Sequence, residues 1–200
     1  MDVIVSTGEK LSARIFTDVL NSRGVDAIYY NLDDIIDQPF KEVDQNFCYY
    51  IQKKLRALLL KTGAKVPVIT GFFGFVPGGI LKSIGRGYTD FTAALVATAT
   101  LATELQIWKE VDGIFTSDPK KVEAARVLPS ISPEEALELT YYGSEVIHPF
   151  TMEQVANANI PMRIKNTFNP DLPGTIIDPS GNTSYQKGAT AATVKRGVTL

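Results

Sequence analysis

Short apolar runs take turns with longer amphipathic ones along these 200 residues. VIVS at 3 to 6, DAIYY at 26 to 30, VPVIT at 66 to 70, LQIWK at 105 to 109, IPMRIK at 160 to 165 and GTIID at 174 to 178 are brief and rich in β-branched or aromatic residues, which predicts strands. Between them Leu11, Ile15, Val19 and Leu20 share one helical face, as do Ile51, Leu55, Leu58 and Leu59. Gly24 and Gly63 follow those patterns where helix C-caps belong. Ser132, Pro133, Glu134 and Glu135 spell a capping box with proline at the first helical position, predicting a helix through EEALELTYY. Alternating strands and helices imply an α/β fold with a mainly parallel sheet and helices on both faces. Such sheets bind ligands at the carboxyl ends of their strands, which directs attention to particular loops.

Two loops meet that rule. The first, Gly71 to Asp90, follows VPVIT and is dense in glycine; Phe72 to Phe75 and Ile80 to Ser83 are expected to pair as a hairpin across Pro77, Gly78 and Gly79. The second, Lys109 to Lys121, follows LQIWK, with turns expected at Asp112-Gly113 and Asp118-Pro119. From Pro179 to Arg196 the chain turns polar and rich in small residues, like a linker, before GVTL at 197 to 200.

Composition narrows the chemistry. A formal net charge of -2 gives no general pull toward nucleic acid or an anionic membrane. No run approaches the roughly 18 apolar residues of a membrane span. The single cysteine, Cys48, excludes an intramolecular disulfide, fits a cytoplasmic setting and reads as a buried thiol among aromatic neighbours. The single histidine, His148, stands beside Pro149 and reads as a cap or packing residue, which removes Ser/His and Cys/His hydrolase arrangements and multi-histidine metal sites. No protein ligands for a metal are expected.

Within the first loop Arg86 lies between Gly85 and Gly87, followed by Thr89, expected as an N-cap, and Asp90 at a helix start. A guanidinium fork takes a carboxylate or phosphate bidentately, and an acid at the same place takes an ammonium. The group therefore suits a zwitterion such as an amino acid. The spacing fits equally well a helix whose Asp90 complements the dipole, whose Thr89 caps, and whose Arg86 pairs with an acid.

GRGYTDFTAAL, IWKEVDGIFTSDPKKV, LTYYGSEVIHPFTMEQV and IPMRIKNTFNP, in this order and preceded by VSTGEKLSARIF, resemble the catalytic domain of aspartate kinases, the fungal ones in particular. The resemblance implies the amino-acid kinase fold, a three-layer α/β/α sandwich, and transfer of phosphate from ATP, with Mg2+, to the side chain of L-aspartate, giving 4-phospho-L-aspartate. That is the first step toward threonine, methionine and isoleucine. By likeness Glu9, Arg86, Gly87, Thr89 and Asp90 hold aspartate, Arg86 taking its α-carboxylate. Lys109, Glu110, Phe115 and Lys120 match positions around ATP, with Lys165 approaching the nucleotide. Asp90 and Lys120 are the residues expected to carry the transfer. Aspartate kinases often have Tyr at Phe115, Arg at Lys120, and Thr and Asp at Lys109 and Glu110, so contacts at the last pair are expected through backbone. The family's Lys-Phe-Gly-Gly-Thr-Ser segment has no counterpart here. Residues 1 to 178 are therefore expected to form a kinase domain without its N-terminal part, and 179 to 200 a linker toward a regulatory ACT domain, the longer form being a homo-oligomer. Two other readings remain: a non-catalytic chain that only binds substrate, and another amino-acid kinase of the glutamate type.

Overall fold

The computed structural model describes residues 2–141, 147–181 and 189–192. The chain divides into two compact units, Met1–Thr100 and Leu101–Leu200.

The first unit begins with α1 (Asp2–Ser22). VIVS therefore opens a helix and is not a strand. Four residues are too few to distinguish the two states, and the amphipathic pattern downstream extends the helix back through them. The shared face of Leu11, Ile15 and Val19 exists, but it is exposed, as are Ile4 and Phe16. After α1 the Asn21 side chain clamps the chain end of the first strand, accepting from the Ala27 N–H at 2.9 Å and donating to the Ala27 carbonyl at 3.1 Å. Strands β1 (Ala27–Tyr30) and β2 (Val66–Ile69) pair in parallel, with Ala27 opposite Val66 and Tyr30 opposite Ile69. Between them runs α2 (Gln45–Leu59), capped by Asp44, whose carboxylate accepts from the Phe47 N–H at 2.8 Å. Gly24 has left-handed backbone just after α1, as expected of a helix C-cap; Gly63 is left-handed too, but the C-cap of α2 is Leu60, three residues earlier.

The expected hairpin after β2 does not form. Residues 72–75 are irregular, and Ile80–Ser83 make one helical turn, α3, anchored by the fully buried Ile80 and by the Ser83 N–H to the Gly79 carbonyl at 3.0 Å. Local hydrogen bonds satisfy this backbone, so no second strand is needed. The long helix α4 (Tyr88–Thr100) follows. Phe47 of α2, Phe73 of the loop and Phe91 of α4 pack as tilted and edge-to-face pairs with ring centroids 6.0 Å apart at each step, and Ile51, Leu55 and Leu95 complete the core. Cys48 is buried among them, as expected.

The second unit is built on a four-stranded sheet in the order β3-β5-β6-β4: β3 (Leu105–Lys109), β4 (Ser130–Ile131), β5 (Met162–Asn166) and β6 (Thr175–Ile177). Only the β5–β6 pair is antiparallel. The capping box is present in full: the Ser132 N–H donates to the Glu135 carboxylate at 3.0 Å, and the Glu135 N–H to Ser132 Oγ at 3.2 Å, starting α5 (Pro133–Tyr141). His148 caps α6 (Pro149–Asn157), its Nδ1 accepting from the Phe150 N–H at 3.2 Å, so the cap reading of that histidine holds. Buried Ile107, Met152, Val155, Met162, Ile164 and Ile177 form the core.

Most of the tail expected as a linker, with GVTL, lies outside the described residues. Its described part returns to this unit: Thr190 Oγ1 donates to the Glu135 carboxylate at 2.6 Å, and the Ala192 N–H to the Thr116 carbonyl at 2.8 Å.

Candidate active site

At the carboxyl end of β2, Thr70 ties the loops together. Its hydroxyl accepts from the Leu32 N–H at 3.1 Å and donates to the Phe72 carbonyl at 2.9 Å, joining the segment after β1 to the segment after β2. Gly71 then passes so close to two other elements that a Cβ there would lie 2.6 Å from Glu9 Oε2 on α1 and 2.6 Å from Thr89 Cγ2 on α4. Glu9, Gly71 and Thr89 thus converge on one point. Thr92 also donates to the Gly71 carbonyl, fixing the loop against α4.

Glu9 is the unusual group of this cluster. Burial pushes its carboxyl pKa up, and hydrogen bonds from the Tyr88 phenol and the Phe72 N–H pull it part of the way back. Its Oε2 is buried with no hydrogen-bond partner in the structure. A carboxylate oxygen left in that state is costly unless a donor arrives, so the geometry offers an acceptor to a ligand cation. Beside it Lys10 pairs with Asp33, with Lys10 Nζ 5.8 Å from the Phe72 ring centroid.

The Gly-Arg-Gly sequence shows why both glycines are there. Gly85 and Gly87 have φ of 89° and 88°, a region costly for side chains, and the two turns raise Arg86 between them into solvent. Arg86 makes no hydrogen bond or ion pair among the described residues. Thr89 is not the N-cap: α4 already includes Tyr88, and the Phe91 N–H bonds the Gly87 carbonyl at 3.1 Å, so Thr89 sits inside the first turn. Asp90 lies in the same turn, half-buried, where its charge complements the helix dipole. The first unit therefore brings Glu9 of α1 and Thr89 of α4 together at the β2 end, with Arg86, Gly87 and Asp90 next to Thr89 in the chain.

In the second unit the loop after β3 is pinned by its own side chains. Asp112 accepts from Asn166 Nδ2 at 2.7 Å and Asn169 Nδ2 at 3.0 Å, and these bonds, Asn169 first, hold its carboxyl pKa below the ordinary value. Gly113 presses on Thr175, whose hydroxyl accepts from the Ile114 N–H at 2.8 Å and donates to the Leu128 carbonyl at 2.6 Å. Phe115, half-buried, bridges to Val127. The Asp118 turn forms as expected, its carboxylate accepting from the Lys120 N–H at 3.0 Å and pairing with Lys121 at 3.1 Å, while Lys120 is exposed.

The carbonyl of Lys109 accepts both the N–H and the hydroxyl of Thr167, at 2.9 and 2.7 Å, so that backbone oxygen already has protein donors. Glu110 is exposed. Strand alternation places Lys109 with Asn166 on one face of the sheet and Lys165 with Trp108 on the other, where Lys165 Nζ lies 5.0 Å from the Trp108 ring. The structure therefore does not bring the Lys165 and Lys109 side chains together. Gly71, Phe72 and Tyr88 were not singled out as site residues from the sequence. The position of Gly71 after VPVIT was the available signal, but its contact with Glu9 spans residues far apart in the chain.

The sequence profile of the amino acid kinase family matches residues 1–166. The chain belongs to that family. Among curated amino acid kinases it is 56% identical over 180 residues to the aspartokinase of Schizosaccharomyces pombe, covering 89% of this chain and 35% of that protein. It is 55% identical over 185 residues to the aspartokinase of Saccharomyces cerevisiae, covering 90% and 35%. The chain thus spans about a third of the length of these relatives. Among solved structures, Escherichia coli aspartokinase III in complex with aspartate and ADP superposes with a TM-score of 0.76 at 30% identity, covering 88% of this chain and 40% of that one. The UMP kinase of Bacillus anthracis, at 17% identity and a TM-score of 0.61, shares the fold alone. The expected amino-acid kinase fold is borne out by these likenesses. Among the described residues no helix is long and apolar enough to cross a membrane.

Proposed function

We propose that this chain carries the aspartate site and a nucleotide-binding loop of an aspartate kinase, which transfers the γ-phosphoryl group of ATP to the side-chain carboxylate of L-aspartate. The observation that carries this reading is the cluster at the end of β2: a buried, unsatisfied Glu9 oxygen beside Thr89 and Gly71, with Arg86 held out by two left-handed glycines close by in sequence. A ligand with a carboxylate and an ammonium complements both charges. The high identity to fungal aspartokinases and the superposition on an aspartokinase structure with aspartate and ADP support the same substrate.

In this reading Arg86 takes the α-carboxylate in a bidentate pair, Glu9 and Asp90 take the ammonium, and Thr89 fixes the approach. The substrate's own side chain is ionised at neutral pH, so no general base is required. Its oxygen attacks the γ-phosphorus as the bond to the β,γ-bridging oxygen breaks, and ADP leaves with that electron pair. Positioning and positive charge on the phosphates carry most of such a transfer, and Lys120 supplies one cation. Phe115 offers a ring to the nucleotide. Mg2+ would supply further neutralisation when bound with ATP. The wider reading is a cytoplasmic, homo-oligomeric enzyme at the start of a route to threonine and methionine.

The test is to incubate the full chain with Mg-ATP, L-aspartate and hydroxylamine and to measure aspartyl hydroxamate. Product that requires L-aspartate, is not formed as well with L-glutamate, and disappears in Arg86→Ala supports the reading. Aspartate binding without product would assign this chain to binding alone, and glutamate preference would assign it to a different amino-acid kinase.

A further inference from the structure

The role of Tyr88 is not explained by aspartate chemistry alone. Its ring is buried, at 8% exposure, in the first turn of α4, directly between Gly87 and Thr89. A phenol that needed only to fill space there could be a phenylalanine. Instead its hydroxyl donates to the Glu9 carboxylate across from another helix, and the Phe72 N–H donates to the same carboxylate. Those two donors leave Glu9 Oε2 buried and unpartnered beside Gly71 and Thr89. Lys10, the neighbouring cation on α1, is committed to Asp33 and does not neutralise Glu9.

We propose that Tyr88 is a positioning residue, holding the Glu9 carboxylate from α4 so that its unpartnered oxygen is presented to the ammonium of the bound amino acid. This rests on the aspartate reading above and deepens it. Two donors fix one carboxylate's orientation in a half-buried place, so the ligand ammonium completes an existing set of bonds and need not order a flexible glutamate. The Tyr88 hydroxyl thereby contributes to discrimination for an α-amino group without touching it.

The experiment compares Tyr88→Phe with the wild-type chain, keeping the ring and removing the hydroxyl, and titrates each calorimetrically with L-aspartate and with succinate, which is aspartate without its ammonium. Aspartate affinity is expected to fall about tenfold in Tyr88→Phe, the scale of a lost hydrogen bond to a charged group, with succinate affinity unchanged. The Tyr88→Phe effect is expected to vanish in a Glu9→Gln background. Equal losses for both ligands, or no loss for aspartate, would overturn the proposal, because the hydroxyl would then act on packing or on nothing. Absence of aspartate binding by the wild type would instead count against the substrate reading. In that case carbon-13 titration of the Glu9 carboxyl decides: a further rise of its pKa in Tyr88→Phe supports the positioning bond, and an unchanged titration refutes it.

Discussion

At Gly71 a single missing methyl leaves room for the proposed site. Its backbone is not in the left-handed region, so alanine is tolerated by the chain itself. The added Cβ, however, meets Glu9 Oε2 and Thr89 Cγ2 at 2.6 Å and Thr89 Cβ at 3.0 Å, so a held carboxylate and the first turn of α4 would both have to give way. Gly71→Ala is therefore expected to lower the melting temperature and also to weaken aspartate binding by about tenfold or more, as measured by parallel thermal melts and calorimetry. At this scale the sequence was informative where one residue type admits few explanations. Arginine between two glycines was legible as a raised cation because those turns favour glycine. Glu9 was reached only through family likeness, since nothing local to α1 announces that its carboxyl is buried against the loop after β2. Lys165 shows how alternation decides placement: a lysine at a strand end attracts a nucleotide role, and in the structure its Nζ lies 5.0 Å from the Trp108 ring, on the face opposite Lys109.

Among the elements, those written in local code were readable and those needing tertiary support were not. The Ser132 to Glu135 box gave the start of α5, and both reciprocal bonds are present. Ser132→Ala is expected to destabilise the chain by about 1 kcal/mol, the usual worth of an N-cap, with Ser132→Asp restoring most of it in chemical denaturation. The first strand and the hairpin failed for a shared reason: segments of four residues are too short to carry a period of their own, and the chain around VIVS and Ile80–Ser83 decided in favour of a helix. For Ile80–Ser83 the deciding contact was the complete burial of Ile80, which no pattern of alternation reveals.

For the whole molecule, charge placement sets the response to acid. The carboxyls of Asp44, Asp112 and Asp118 are all held below their ordinary value of 3.8, each first by hydrogen bonding: the Phe47 N–H for Asp44, Asn169 for Asp112 and the Lys120 N–H for Asp118. A depressed folded-state value means that the folded chain binds these protons less readily than the unfolded chain. The stability they contribute is present above the ordinary value and is lost as pH falls through the folded values. Stability followed by denaturant titration is therefore expected to decline below about pH 4, with Asp112→Asn flattening part of that decline. Glu9 has the opposite sign. Its raised pKa makes the ionised form the costly one, so ligand binding that needs the carboxylate weakens as pH falls toward that raised value, before the aspartates above respond. The fold class was legible at this scale from alternating strand and helix patterns, whereas the division into two compact units was not, since no composition break marks residue 100.

In the proposed function Arg86 and Glu9 together read a zwitterion, and the decisive experiment is calorimetric titration of L-aspartate into the full chain and into Arg86→Ala. Saturable binding to the wild type and a loss of at least about tenfold in Arg86→Ala are expected, as when a charge-assisted bidentate pair is removed. Equal affinity in the two proteins would contradict that reading, because the glycine-flanked arginine would then have no part in holding the substrate.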